Sequence, residues 1–343
     1  MDTRMAALGL DRHAVVPRPL LVDRYGDAAL IQVRSQQTLE EPTLAQRSPY
    51  PDDPEIERRD AFAFETIGED RFRVAPVKSG LLRLFGGAVV SQSLAAAQQT
   101  VPPDKIAHSL HAYFLKPGLT DRPVDFAVTR ESDGRSFANR LVRMTQNGVP
   151  IVNLMASFKL RERAPHFSVT MADVPPPEEL PKLDDLIAAY GDRLPERHRP
   201  FWQRRQMFDW RPVEQFRFDE RDTGPARRSM WFRLNGTENG GTAVQQRLLA
   251  YASDMHIFHT ALAPLGMGWA NDFLQSSSLD HAIWFHDDFR VDEWMLYVMD
   301  SPAASDAVAL GRGHIFRRDG QIVATVSQQG LARMLDDRRE GKL

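Results

Sequence analysis

The same order of sequence elements occurs twice along this chain, and this repeat restricts the possible fold more strongly than any other feature of the sequence. A helical stretch is followed by a His-Ala pair, by alternating strand-like residues, and by a turn that ends in glycine. The His-Ala pair begins at His111 in the first half and at His281 in the second. His111 precedes the turn residue Gly148 by 37 residues, and His281 precedes Gly320 by 39. This spacing predicts two structurally similar units in tandem.

Each unit is predicted to contain one helix followed by consecutive antiparallel strands. The helices are expected at residues 88–99 and about 245–262, and the first places Val90, Leu94 and Ala97 on one face. The fold class is therefore α+β, with an antiparallel sheet wrapped around a central helix in each unit. Pairing the two sheets edge to edge would cover two exposed edges at once. The strands are predicted at residues 124–129, 137–144, 151–158, 294–298, 307–316 and 322–327.

Composition excludes several classes of protein. The 343 residues include 43 Lys and Arg against 46 Asp and Glu, so no global positive field attracts nucleic acid or anionic lipid. The absence of cysteine excludes disulfides, thiolate metal ligands and a Cys nucleophile, and it fits a reducing compartment. Apolar runs such as residues 248–252 are far shorter than the roughly 20 residues of a membrane-spanning helix. We therefore expect a soluble, cytoplasmic protein without a nucleic-acid or membrane partner.

Proline-rich segments mark the predicted domain boundaries. Residues 48–54 and 175–181 are rich in proline, which helix interiors and central strands do not tolerate. The predicted organisation is a loosely attached N-terminal extension at 1–60, a first unit at 61–165, a linker at 166–210, a second unit at 211–336 and a charged tail at 337–343.

Short ordered motifs run through both units. They are FGGAVV at 85–90, HSLHAYFLKPG at 108–118, DGRSF at 133–137, QNG at 146–148, RPVE at 211–214, YASD at 251–254, LDHAIWFH at 279–286 and QQG at 328–330. Together these motifs resemble the acyl-CoA thioesterase II family over residues 64–334. The resemblance implies a double hot-dog fold and assembly into homo-oligomers, either dimers or tetramers.

The resemblance also implies a reaction and a set of site residues. Members of this family hydrolyse acyl-CoA thioesters to a free acid and coenzyme A, without a metal or redox cofactor. An Asp, a Thr or Ser, and a Gln hold the attacking water, and in this sequence they correspond to Asp254, Ser278 and Gln328. Ser276 is the rival hydroxyl, because residues two apart on a strand share one face.

Physical chemistry suits these residues to their implied roles. A carboxylate at Asp254, on a helix lining an apolar tunnel, would be partly desolvated, which raises its pKa and makes it a better base. Direct attack by Asp254, giving an anhydride, is the alternative. Gly86 and Gly87 precede the first helix, where a missing Cβ would let a backbone amide approach an oxyanion or phosphate. The two glycines could instead simply allow tight packing of helix against sheet.

Histidine and arginine supply further candidates. Five of the ten histidines lie between 256 and 314, but no H-E-x-x-H pattern is present, so no metal site is predicted. His281 and His286 are an odd number of residues apart and should point to opposite faces of a strand. Arg204 and Arg205 lie among aromatic residues, where they would contact the CoA phosphates or form part of a solvated connector.

Two alternative functions use the same fold. A hot-dog enoyl-CoA hydratase or dehydratase would need His281 or His111 as its base, with a carboxylate nearby. In a hydrolase, His111 is instead a candidate substrate contact, together with Gly86, Gly87, Arg204 and Arg205. A non-catalytic acyl-CoA-binding or sensing protein would bind the ester without turnover.

Overall fold

The computed structural model describes residues 54–76, 81–191, 196, 199–202, 206–216, 224–268 and 274–335, all within one compact unit of residues 48–343. The helices are α1 (Pro54–Ala61), α2 (Gly86–Gln98), α3 (Leu183–Tyr190), α4 (Arg199–Trp202), α5 (Thr242–Ser253) and α6 (Ile257–Leu262). The strands of the first half are β1 (Phe64–Gly68), β2 (Arg71–Val74), β3 (Lys105–Phe114), β4 (Val124–Asp133), β5 (Phe137–Gln146) and β6 (Val149–Leu160). Those of the second half are β7 (Phe208–Pro212), β8 (Arg227–Leu234), β9 (Leu274–Ser278), β10 (Asp280–Phe285), β11 (Met295–Ser305), β12 (Val308–Arg317) and β13 (Ile322–Met334).

The strands of the described residues form one 13-stranded sheet. Its order is β1-β2-β4-β5-β6-β3-β10-β13-β12-β11-β8-β7, with β9 paired to β13. Antiparallel pairing of β3 with β10 joins the two halves, with Leu110 opposite Ile283. The predicted edge-to-edge pairing of two antiparallel sheets is confirmed. Helix α2 lies against β4, β5 and β6, α6 lies against β11, β12 and β13, and α2 and α5 lie against each other.

The second predicted helix is not continuous. Instead of one helix over 245–262, the chain forms α5 and α6, separated at Asp254–His256. The cause is His256, whose φ of 66° lies in the left-handed region that an α-helix cannot continue through. The N–H of Asp254 bonds the Ala252 carbonyl and so tightens the end of α5. Asp254 therefore lies at a helix end rather than in the middle of a helix.

The two His-Ala pairs do not occupy equivalent positions. Across the β3–β10 junction, His281 is opposite Ala112 and Ala282 is opposite His111. Cross-strand neighbours share a face of the sheet, and His281 and Ala112 are buried, whereas His111 is exposed. His286 is also exposed, so its expected separation from His281 is confirmed.

Segments outside the predicted units also contact them. Arg58 of α1, within the predicted extension, lies 3.5 Å from Glu238 of the second unit. In the predicted linker, Trp210 is buried against Phe232 with ring centroids 4.8 Å apart. Within the described ranges, no helix is both long and apolar enough to cross a bilayer. Residues 1–53 and the predicted tail at 337–343 lie outside the described residues.

Candidate active site

A cavity of about 330 Å³ opens where the N-terminus of α2 meets the C-terminal end of α5. Its apolar wall includes Phe85 and Phe258, and its polar wall includes Asp254, Ser278 and Gln328. We call it the Asp254 cavity. Its volume lies within the range of roughly 300–1,000 Å³ typical of small-molecule sites. The structure thus brings the three predicted catalytic residues to one cavity, from the C-terminal cap of α5, from β9 and from β13.

The N-terminus of α2 holds Asp254. The Gly87 N–H donates to Asp254 Oδ2 at 2.8 Å, and a Cβ on Gly86 would lie 2.8 Å from the same oxygen. The glycines therefore allow a close approach to a carboxylate of the protein itself. The sequence suggested that a backbone amide here would donate to an oxyanion or a phosphate. In the structure the Gly87 N–H donates to Asp254 instead. The positive end of the α2 dipole favours a negative charge at this position.

Burial and hydrogen bonding have opposite effects on the pKa of Asp254. Burial raises its pKa above the ordinary value, and the Gly87 N–H and the Gln328 amide offset part of that rise. Its second oxygen, Oδ1, is buried and has no hydrogen-bond partner among the described residues. Buried carboxylate oxygens are normally hydrogen-bonded, so Oδ1 is the atom with spare capacity to accept a proton donor.

Ser278 contacts Gln328 directly. Gln328 Nε2 lies 2.9 Å from Ser278 Oγ and donates to it. Ser278 stands opposite Gly330 at the end of β9, and Ser276 stands opposite Ala332 farther along the same pairing. Both serines line the Asp254 cavity, but it is Ser278 that accepts the hydrogen bond from the Gln328 amide.

Gln328 is linked in turn to groups that the sequence did not place in a hydrolase site. Its Oε1 lies 2.7 Å from His281 Nδ1, and His281 Nε2 lies 2.9 Å from Ser253 Oγ. The Tyr297 hydroxyl donates to the Ser253 carbonyl at 2.9 Å, which anchors the end of α5 beside Asp254. Burial raises the pKa of Tyr297 well above its ordinary value, so its hydroxyl keeps its proton. The sequence did contain a signal for Ser253 and His281, because both lie within motifs that carry the family resemblance, YASD at 251–254 and LDHAIWFH at 279–286.

The remaining predicted site residues lie elsewhere. His111 is on the exposed face of β3, where its ring meets that of Trp284 edge-on at 5.1 Å, and it does not line the Asp254 cavity. Arg204 and Arg205 lie outside the described residues. Gly86 lines the cavity directly.

Two further histidines line the cavity. Burial lowers the pKa of His256 to about 3, so its ring is neutral. His259 Nδ1 lies 3.0 Å from an Arg228 nitrogen, and burial lowers the pKa of His259 as well. In the described part of the chain, no group of three or more His, Cys, Asp or Glu residues is arranged to hold a metal ion.

Two known protein families match this chain, one in each half. Residues 201–331 match the family described as acyl-CoA thioesterase, and residues 75–159 match the acyl-CoA thioesterase N-terminal domain. An acyl-CoA thioesterase 2 from Haemophilus influenzae is 35% identical over 276 residues, covering 78% of this chain and 94% of the relative. The chain belongs to the acyl-CoA thioesterase family. The resemblance of the sequence motifs is thereby confirmed.

Other members and solved structures agree with this assignment. Human acyl-coenzyme A thioesterase 8 is 34% identical over 287 residues, covering 81% of this chain and 89% of the relative. The crystal structure of an acyl-CoA thioesterase II from Mycobacterium marinum is 31% identical, has a TM-score of 0.66, and covers 81% of this chain and 98% of that chain. A hot-dog protein from Alicyclobacillus acidocaldarius, at 20% identity and a TM-score of 0.64, covers 81% of this chain and 98% of its own and shares the fold. The predicted double hot-dog fold is confirmed.

Proposed function

We propose that this chain hydrolyses acyl-CoA thioesters and that Asp254, Ser278 and Gln328 hold the attacking water. The observation that carries the proposal is the arrangement at Asp254, whose buried Oδ1 has no partner among the described residues. The Oδ2 atom is held by Gly87, so the carboxylate is fixed while one oxygen is available to accept a proton. A fixed acceptor beside an apolar-walled cavity suits activation of water at a thioester carbon.

In the proposed reaction, the oxygen of water attacks the thioester carbonyl carbon as Asp254 Oδ1 accepts a proton from that water. Ser278 and Gln328 orient the water, since hydroxyl and amide groups both donate and accept hydrogen bonds. Attack produces a tetrahedral oxyanion, and its collapse breaks the carbon–sulfur bond. The proton on Asp254 is then available to the departing thiolate. The products are one fatty acid and one coenzyme A for each water consumed.

The raised pKa of Asp254 supports a base role. A carboxylate whose pKa lies closer to the working pH is a stronger proton acceptor than an ordinary exposed carboxylate. The close approach of Gly86 and Gly87 restricts movement of this carboxylate. Because the glycines belong to the first unit (61–165) and Asp254 to the second (211–336), both proposed domains contribute to one site.

We also infer from the family resemblance that the chain forms a homo-oligomer, a dimer or a tetramer, and that it acts in the cytoplasm. The absence of cysteine is consistent with a reducing compartment. Light scattering coupled to size-exclusion chromatography measures the oligomeric state, and a monomeric mass would contradict this part of the proposal.

The test of function is release of free thiol from octanoyl-CoA and palmitoyl-CoA, followed with a thiol-reactive dye. The protein contributes no background, because its sequence has no cysteine. We expect release by the wild type and its collapse in a folded Asp254→Ala variant. Binding of both esters without release would contradict hydrolysis and favour an acyl-CoA-binding protein. A 2-enoyl-CoA tested in parallel distinguishes the hydratase, because loss of its enoyl thioester absorbance without release of thiol would favour hydration.

A further inference from the structure

His281 occupies a buried position between the Asp254 cavity and the end of α5. It is 0% exposed and projects from β10 beside β13, where Ala282 pairs with Ser327 and places His281 opposite Gln328. Its two ring nitrogens face different partners. Nδ1 is 2.7 Å from Gln328 Oε1, and Nε2 is 2.9 Å from Ser253 Oγ. The imidazole therefore links the residue before Asp254 to the Gln328 amide.

The position of each proton in this chain of hydrogen bonds follows from the partners. Gln328 Oε1 is a carbonyl oxygen and can only accept, so His281 Nδ1 carries the proton. Burial lowers the pKa of His281 and keeps the ring neutral, which leaves Nε2 as an acceptor. Ser253 Oγ therefore donates to Nε2. Ser253 Oγ also lies 2.9 Å from the Ala250 carbonyl, to which it donates whenever its proton is not held by Nε2.

The hydrogen bonds consequently run in one direction, from Ser253 to His281, from His281 to Gln328, and from Gln328 to Ser278. A Gln328 amide turned end for end would place its NH₂ group against the Nδ1–H of His281. Two donors would then face each other in a buried site, which costs the desolvation of both groups. His281 thus favours the orientation that turns the NH₂ group of the amide toward Ser278.

We propose that His281 is a positioning residue, which holds the Gln328 amide in the orientation that donates to Ser278 and leaves the Ser278 proton free for the reaction. This inference rests on the proposed function, since Gln328 matters to turnover only if the Asp254 cavity is the site of hydrolysis. If His281 only filled space in the core, its removal would affect turnover independently of Gln328.

The experiment is a double-mutant cycle on kcat with octanoyl-CoA, using His281→Leu, Gln328→Ala and the double variant. We expect His281→Leu to lower kcat on the order of 10²-fold, as misplacement of a catalytic group does, with KM changed by only a few-fold. The double variant should lose no more than Gln328→Ala alone, because His281 acts through that amide. Losses that multiply, or wild-type kcat in folded His281→Leu, would overturn the inference.

Conservative and matched variants separate positioning from packing. His281→Asn places an amide nitrogen at the same number of bonds from Cα as Nδ1, so it should lose less kcat than His281→Leu. An equal loss in both would overturn the positioning role. His286→Leu makes the same change at an exposed site of the same segment, where the ring contacts Thr325, and should leave kcat at the wild-type value. Should His281→Leu fail to fold, Ser253→Ala replaces it in the cycle, because Ser253 supplies the proton that sets the tautomer.

The same measurements distinguish failure of this inference from failure of the proposed function. Wild-type kcat in Gln328→Ala would remove Gln328 from the site and contradict the proposed function. A large loss in Gln328→Ala, combined with an independent loss in His281→Leu, would overturn only the positioning role. Circular dichroism and thermal melts establish that each variant is folded.

Discussion

Two cavities lie along the paired helices α2 and α5, one near each end of the pair, and they differ in the side chains that line them. The Asp254 cavity measures about 330 Å³. The other, about 550 Å³, lies where the end of α2 meets the start of α5, and its lining includes Lys105 and Arg161. We call it the Lys105 cavity. The residue capping α2 there is Gln99, whereas the residue capping α5 is Asp254. One end of the helix pair thus carries a carboxylate and the other an amide.

The sheet shows the same contrast. Ala156 follows the turn residue Gly148 of the first half by eight residues, and Gln328 follows Gly320 of the second half by the same number. On the side of the β3–β10 junction, the residue opposite Ala156 is Leu110, whereas the register that pairs Ala282 with Ser327 places His281 opposite Gln328. All four side chains are buried. In the first half this pair is apolar, and in the second it is a hydrogen-bonded polar pair.

The comparison separates what the fold provides from what the side chains provide. Both halves supply a helix end beside a curved sheet, and each such end borders a cavity. A buried polar pair is tolerated only when its hydrogen bonds are satisfied, which favours apolar residues wherever no function requires polar ones. The hydrogen-bonded pair of the second half is consistent with the proposed chemistry, because Gln328 lines the Asp254 cavity.

The largest expected effect in this comparison concerns the two serines of β9. Ser278→Ala removes the hydroxyl that contacts Gln328 and should lower kcat on the order of 10²-fold. Ser276→Ala, the matched change two residues earlier, should alter kcat by only a few-fold. Thiol release at saturating octanoyl-CoA measures both. The reverse ranking would make Ser276 the site hydroxyl and contradict the account of Ser278.

A second prediction uses glycines at matching helix starts. A Cβ on Gly86 would lie 2.8 Å from Asp254 Oδ2, whereas a Cβ on Gly241, just before α5, would meet nothing within 4 Å. Gly86→Ala should displace the carboxylate and lower kcat by about tenfold or more. Gly241→Ala should leave kcat unchanged. Equal kcat values for the two variants would show that the close approach to Asp254 does not matter.

The third prediction concerns pH. Because burial raises the pKa of Asp254, kcat/KM should fall as pH decreases through a pKa above the ordinary Asp value of about 3.9. The pH profile for octanoyl-CoA measures this acidic limb. The limb should persist in His281→Asn if Asp254 causes it. Its loss in that variant would assign the limb to His281 instead.

The smallest expected effect is on stability. A buried carboxylate with a raised pKa destabilises the folded state when it is charged, so Asp254→Asn should raise the melting temperature at pH 7 by a few degrees. The gain should shrink as pH falls through the raised pKa, because the wild-type side chain then becomes neutral. Gln99→Asn, at the equivalent helix end, should show no such pH dependence. Calorimetry at several pH values tests both, and a gain that grows at low pH would have the wrong sign.

The sequence predicted the architecture well because alternation and turn glycines are local signals. The strand predicted at 137–144 forms as β5 (Phe137–Gln146), and the Asn147 turn follows it. By contrast, β13 extends to Met334, beyond the predicted end at residue 327. Pairing with β12 extends β13 through the polar residues Gln328 and Gln329, and pairing with β9 extends it to Met334. Such long-range pairing leaves no mark on local periodicity.

The site was predictable in its residues but not in its contacts. Motif resemblance indicated Asp254, Ser278 and Gln328, whereas the hydrogen bonds of His281 depend on the register between β10 and β13. The break after α5 also escaped prediction, because helical periodicity continues through a single left-handed residue, His256. Both features arise from tertiary structure rather than from local sequence pattern.

The most direct test of the central claim is the rate of the chemical step in Asp254→Asn. A single turnover of radiolabelled octanoyl-CoA by excess enzyme, quenched in acid, separates hydrolysis from binding and release. The asparagine keeps an oxygen for the Gly87 N–H but cannot act as a base, so hydrolysis should slow by about 10²- to 10⁴-fold with little change in Kd. A near-wild-type chemical rate in the folded variant would contradict the role of Asp254 and the contrast between the two cavities.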